Sequence, residues 1–282
     1  MRGKRAARIA TGVGESIANE PFSDLATLAA PEAGDTPRDK LGAGIGDETG
    51  DAAAVNPAPP PRSAAEKKAQ MLIRRAKRNL RKAWAEGYMA GITTLLRPGD
   101  LVYDLGANRG DVTAVLAATG ADVVAYEPDP VTFAKLTARF ADHPNVRLVN
   151  AAVGVGSGTV TLMRGANFAG KEEQASVKST ILDGGRGVDA ANAVEVPLID
   201  FPAVVRTEVA ARGQIAFVKM DIEGAELEIL EVMDREGLFE NIRGLVAETH
   251  ERKFKELRER YKALRTAIAE HQPSGKINLD WI

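Results

Sequence analysis

Four apolar runs in this chain each end in side chains that can do chemistry. Leu101 to Tyr103 leads to Asp104, and Val123 to Tyr126 leads to Glu127. Ile215 to Met220 carries Lys219 and ends at Asp221, while Gly244 to Ala247 ends at Glu248, Thr249 and His250. Runs of this kind read as buried parallel strands, and ligands of open α/β sheets bind in the crevice at the strands' carboxyl ends. Glu127 follows Asp104 by 23 positions, where a carboxylate can accept both hydroxyls of a ribose. His250 is a candidate general base, since a histidine above that crevice can titrate near neutrality. Asp221 is the second candidate, and Lys219 could orient it or the substrate. Asp221, Glu248 and His250 would also suit a divalent ion that acidifies a hydroxyl, although the reading adopted is a site without metal.

Between the first strand and the next helix lies Leu105-Gly-Ala-Asn-Arg-Gly110. Gly106 allows a turn that a Cβ would obstruct, and Gly110 is expected to let the helix begin close to a ligand. A dinucleotide fingerprint would read G-x-G-x-x-G. Here Asn108 takes the middle position and Asp111 the third. A carboxylate at a helix N-terminus repels pyrophosphate, so a nicotinamide dinucleotide is disfavoured.

These strand tips need a framework, and its elements are legible in order. Residues 1–62 hold seven of the 14 prolines and a single aromatic, Phe22. The expectation is a disordered tail. Ser63 with Glu66 forms a capping box for a long helix over 63–97. Ile73, Leu80, Trp84, Tyr88, Ile92 and Leu95 fall on one expected packing face; Lys67, Lys68, Arg74, Arg75, Lys77, Arg78, Arg81 and Lys82 make the other basic. The main domain then spans 98–282. Within it, Asn150 to Gly154 and Thr159 to Met163 read as an edge hairpin, and Val194 to Leu198 as a short strand. Residues 164–193 form a long polar segment, read as a lid over the acceptor site. The helix Ala225 to Glu236 should bury Leu227, Leu230 and Met233 and expose Glu226, with Glu223 as a cap. A charged helix from Glu251 to Glu270 and one strand over Lys276–Ile282 complete the chain.

Composition narrows the function. The 282 residues carry a net charge of −2 and 44% hydrophobic residues, so wholesale polyanion binding is not implied. The absence of cysteine excludes thiolate nucleophiles, iron–sulfur clusters and disulfides. No apolar run reaches the roughly 20 residues of a membrane span, and no apolar stretch follows Arg2, Lys4, Arg5 and Arg8, so the expected location is cytoplasmic.

Taken together, VYDLGANRGDVT, VVAYEPDP, NAAVG, FVKMDIEGAELEIL and LVAETH resemble, in order and spacing, the FkbM family of methyltransferases over residues 101–250. The string Lys219 to Glu226 is the most specific part. The resemblance implies an α/β, Rossmann-like class I fold with a mostly parallel sheet and helices on both faces. Only one strand's worth of chain follows the last charged helix, so the far edge is expected to be abridged. It further implies S-adenosylmethionine as methyl donor, with Asp104, Gly106, Ala107, Asn108 and Gly110 forming the cofactor loop. Glu127 would hold the ribose, Asn150 and Ala151 would border the adenine, and Asp221 would lie near the reacting methyl. The implied reaction is O-methylation of a sugar or secondary-metabolite hydroxyl, with Asp221, Lys219 and His250 as catalytic candidates. An RNA ribose methyltransferase using the basic helix, or a non-catalytic cofactor-binding module, are the alternatives. Nucleic-acid base methylation is disfavoured, because Asp221-Ile-Glu-Gly224 replaces the Asn/Asp-Pro-Pro-aromatic string it would require. Acceptor identity and oligomeric state are left open.

Overall fold

The computed structural model of the chain describes residues 63–165, 188–251 and 255–281, which belong to one compact unit. The expected disordered tail and the core of the expected lid, 166–187, lie outside the described residues.

Strands β1 (Leu101–Leu105), β2 (Asp122–Tyr126), β3 (Val146–Val149), β7 (Phe217–Met220), β8 (Leu245–Ala247) and β9 (Ile277–Asn278) form one sheet in the order β3-β2-β1-β7-β8-β9. Every neighbouring pair runs parallel. The order reverses between β1 and β7, which makes the crevice above their carboxyl ends the topological switch point. Both strands are buried along their whole length, as continuous apolar runs require.

Helices cover both faces. Tyr103, Leu105, Val124, Tyr126, Val218 and Met220 pack against α4 (Phe201–Arg212), α5 (Glu226–Arg235) and α6 (Arg258–His271) through Phe201, Leu227, Leu230 and Tyr261. The alternate residues Val102, Val123, Phe217 and Val246 meet Leu116 of α2 (Asp111–Ala117), Trp281, and Ala85 and Met89 of α1 (Ala64–Leu95). Helix α3 (Pro130–Arg139) packs through Leu136 against Ala107 and Ala125.

Three expectations are corrected. The capping box of α1 is present, with Ser63 Oγ accepting from the Glu66 amide and Glu66 from the Ser63 amide. However, only the members Tyr88 and Ile92 of the expected face pack against the domain. Ala85, Tyr88, Met89 and Ile92 contact the domain, whereas Ile73, Leu80, Trp84 and Leu95 are 54–71% exposed. Two apolar stripes run along this helix, and only the shorter one, near its C-terminus, meets the sheet.

The expected edge hairpin is instead a second sheet, β4-β6-β5. Strand β4 (Ala152–Gly154) runs parallel to β6 (Val188–Asp200), and β5 (Gly158–Gly165) pairs antiparallel with β6. At 13 residues β6 is far longer than the Val194–Leu198 segment expected, so it occupies the middle and keeps β4 and β5 apart. The parts of the expected lid that are described, 164–165 and 188–193, therefore extend a ribbon. At the far edge, β9 is two residues long, shorter than the strand expected over Lys276–Ile282, and an antiparallel bridge joins Glu248 to Asp280.

Candidate active site

The crevice is built from the backbone of the β1–α2 turn outward. Gly106 has φ +76°, and a Cβ there would overlap the main-chain oxygen of Asp221 on the neighbouring strand. The turn thus packs against β7 with no side chain between. Asn108 follows at φ +49° and Gly110 at φ +81°. The need for Gly110 differs from the one read in the sequence: a Cβ would collide with Phe140 and Leu136, so this glycine serves the packing of α3 rather than room for a ligand. Asp111, the residue incompatible with a pyrophosphate, pairs with Arg139 at 2.7 Å.

Asp104 is fully buried at the end of β1. It accepts from Thr113 Oγ1 at 2.6 Å and lies 3.2 Å from the Lys219 ammonium on the adjoining strand. Lys219 also donates to the carbonyls of Gly106 at 2.8 Å and Leu105 at 3.3 Å, and stands 3.9 Å from Asp221. Burial alone would lower the pKa of this lysine; the carboxylates of Asp104 and Asp221 outweigh burial and raise it. The ammonium is directed at the loop and at Asp104, so the geometry makes Lys219 a staple of the turn that also stands beside Asp221, one of the two groups it was expected to orient.

Glu127, at the tip of β2, accepts from the amides of Asn108 at 2.8 Å and Asp129 at 2.9 Å. Burial pushes its pKa up to about 7, although those two amides work in the other direction. Asp129 in turn caps α3 through the amides of Val131 and Thr132 and pairs with Arg164 of β5, which ties the second sheet to this corner. Asn150 donates its side-chain amide to the carbonyls of Glu127 at 2.8 Å and Pro128 at 3.0 Å, shaping the β2 tip from behind; Ala151 beside it is buried.

On the other side of Asp221 is a second constellation. Glu226 was expected to be solvent-exposed on α5, but it is fully buried. One of its oxygens accepts from the Ile222 amide at 2.9 Å and lies 3.1 Å from His250 Nδ1. This contact turns Nδ1 toward Glu226 and leaves Nε2 on the far side of the ring. Nε2 lies 3.3 Å from Glu223 and 4.0 Å from Glu248. Glu223 has φ +59°, a left-handed conformation that a non-glycine residue rarely holds. Ligand atoms of Asp221, Glu223 and His250 fall within 4.8 Å of one another. Glu223 thus takes the place that sequence spacing gave to Glu248.

The family model of the methyltransferase FkbM domain matches residues 104–272, from Asp104 through the end of α6. The chain belongs to this family. With the family comes its class, the S-adenosylmethionine-dependent methyltransferases of Rossmann-like fold. The chain is similar to the 31-O-demethyl-FK506 methyltransferase FkbM of Streptomyces tacrolimicus, 31% identical over 176 residues, or 55% of this chain and 67% of that protein. A shorter likeness, 45% over 53 residues, joins it to the ribosomal RNA small subunit methyltransferase A of Thermotoga neapolitana, covering 19% of this chain and 20% of that one. Among solved structures, the precorrin-6y C5,15-methyltransferase of Geobacter metallireducens matches 65% of this chain and 70% of its own with 14% identity and a TM-score of 0.33.

For an FkbM-family methyltransferase, the donor set at the switch point is chemically apt. Asp104, Glu127 and Asp221 crown three adjacent strands, β1, β2 and β7, beside one lysine. Carboxylates in excess favour the ammonium, sulfonium and ribose hydroxyls of S-adenosylmethionine and oppose a phosphate. Asp104 Oδ1, although within ion-pair distance of Lys219, is buried without a well-aligned hydrogen bond, which leaves it acceptor capacity. Two residues of this region escaped the sequence reading. No sequence pattern marks Thr113, which falls on α2 one turn beyond Gly110. Glu226 was placed on the wrong face, yet it stands three and four positions before the buried Ile229 and Leu230, a spacing that marks the inward side of a helix.

Proposed function

We propose that the chain transfers a methyl group from S-adenosylmethionine to a hydroxyl oxygen of a sugar or secondary metabolite. The observation that carries this reading is the buried Glu226–His250 pair beside Asp221, next to the cofactor loop. When bound, S-adenosylmethionine supplies a methyl on a sulfonium that needs no prior activation. The residues of this chain do the remainder. Asp104 and the Gly106–Gly110 turn would hold the amino-acid end, and Glu127 the ribose, with Asn150 and Ala151 bordering the adenine. Fixing acceptor oxygen, methyl carbon and sulfur in line can supply about 7–11 kcal/mol of the barrier. His250 Nε2 would take the acceptor's hydroxyl proton as the methyl is transferred and S-adenosylhomocysteine leaves, and Glu226 would stabilise the resulting imidazolium through Nδ1. Asp221, part-exposed at the tip of β7, would orient the acceptor hydroxyl.

The name of the Streptomyces relative, a 31-O-demethyl-FK506 methyltransferase, points to an oxygen as the methylated atom in that protein's reaction and supports a hydroxyl acceptor here. Incubation with S-adenosylmethionine and a panel of hydroxylated macrolides and monosaccharides should yield S-adenosylhomocysteine and a methyl ether in equal amounts. His250→Ala should leave S-adenosylhomocysteine affinity unchanged and lower turnover by about 10²-fold or more. Cofactor binding without turnover on any hydroxyl, or methyl transfer to amines alone, would overturn the proposal. A divalent ion shared by Asp221, Glu223 and His250 is a second reading, favoured only by their mutual distances. Turnover indifferent to a chelator would end it.

A further inference from the structure

Among the described residues, none over 64–84 of α1 joins the apolar core of the domain. At about 100° per residue, Ala69, Leu72, Ile73, Ala76, Leu80 and Trp84 share an arc of about 120°. Leu72, Ile73, Leu80 and Trp84 on it are 51%, 54%, 63% and 71% exposed. The stripe by which the same helix grips its domain, Ala85, Tyr88, Met89 and Ile92, is centred about 150° away. The exposed stripe therefore points away from the body it is attached to, and a straight helix cannot bring it back. Eight cations fill the rest of the circumference, with Lys77 and Arg81 along one border of the apolar arc and Lys68 and Arg75 along the other. No acid occurs between Glu66 and Glu86.

We infer that this segment lies in the surface of an anionic phospholipid bilayer, its apolar arc among the upper acyl chains and its bordering cations at the headgroups. The pattern is that of an interfacial helix: a basic polar face, a leucine and tryptophan face, and low overall hydropathy. None of the described helices is long and apolar enough to cross a membrane, so the helix lies on the lipid rather than in it. The domain, held on the opposite side of α1, stays clear of the bilayer. A second copy fits the stripe less well, since pairing two such helices would bring eight cations of one chain against eight of the other. RNA would engage the cations and leave the apolar arc in water.

The two tryptophans make the test direct, because Trp84 is 71% exposed and Trp281 only 5%. Full-length protein should co-sediment with phosphatidylcholine vesicles containing phosphatidylglycerol at least about tenfold better than with phosphatidylcholine alone, and lose that preference in high salt. Trp84 emission should shift to the blue and be quenched by brominated lipid, and Trp84→Phe should abolish the shift. Leu80→Glu should abolish sedimentation and leave the melting temperature and S-adenosylhomocysteine affinity unchanged. Equal binding to neutral vesicles, sedimentation without a Trp84 response, or sedimentation retained by Leu80→Glu would each overturn the inference. So would blue, protein-concentration-dependent Trp84 emission without lipid, which would assign the stripe to a second copy. A Trp84 response to RNA but not to vesicles would likewise refute it.

Discussion

The Glu127 carboxyl gives cofactor binding a pH dependence that an ordinary glutamate would not. Its pKa rises from 4.5 to about 7 because it is buried. The folded chain therefore holds this proton more tightly than the unfolded chain, and stability falls as pH rises through the window from 4.5 to about 7. At about 1.4 kcal/mol per unit, the loss is at most about 3 kcal/mol, complete above pH 7. In the proposed binding mode the ribose hydroxyls donate to the ionised form, so affinity should run the other way. Roughly a tenth of the carboxyl is ionised at pH 6 and nine-tenths at pH 8. The dissociation constant of S-adenosylhomocysteine should then fall about tenfold between those values, measured by calorimetry at fixed salt. Glu127→Gln should bind more weakly at every pH, by about 1–3 kcal/mol, since an amide NH₂ would face the N–H of Asn108 or Asp129. It should also flatten the profile. A native dissociation constant unchanged from pH 6 to 8, or an unaltered slope in Glu127→Gln, would refute the assignment of the ribose to this residue.

Three further outcomes follow from the same geometry. Lys219→Met leaves Asp104 buried opposite no cation, and should cost about 3–5 kcal/mol in urea unfolding; adding Asp104→Asn should restore part of it. Gly106→Ala combines a left-handed φ with overlap on the Asp221 carbonyl, and should lower stability by more than about 1 kcal/mol and remove the calorimetric signal of the cofactor. Glu226→Gln keeps an oxygen for the Ile222 amide but weakens the hold on His250 Nδ1, so turnover should drop about 10–100-fold with cofactor affinity intact; equal losses in both would make Glu226 merely structural.

The cofactor half of the crevice was legible because it is written in local grammar. An apolar run, an acid, and glycines at fixed offsets locate Asp104, Gly106 and Glu127 without any knowledge of what lies beside them. The acceptor half depends on pairings that local pattern does not encode. Lys219 follows the same strand grammar, yet only the register that sets Asp104 opposite it on β1 reveals that it braces the turn. Glu226 looked like a first-turn acid serving the helix dipole, and its burial comes from His250, 24 positions away on another element. The second sheet was obscured for a related reason. Polar residues of β6 gave no alternation that would distinguish a 13-residue strand from a long loop.

The contact between the Lys219 ammonium and the Gly106 carbonyl joins residues 113 positions apart. While the protein is being synthesised, the glycine turn emerges early, but its brace arrives only after more than a hundred further residues have been added. Closing so large a loop is slow, because chain entropy is lost before the contact repays it. A nascent or truncated chain that stops short of β7 would thus have the complete glycine motif and no grip on its ligand. Once β7 docks, ligand at physiological excess adds RT ln(1 + [L]/Kd) to the stability of the finished fold. Methyl-donor binding should therefore report the docking of β7 as well as activity.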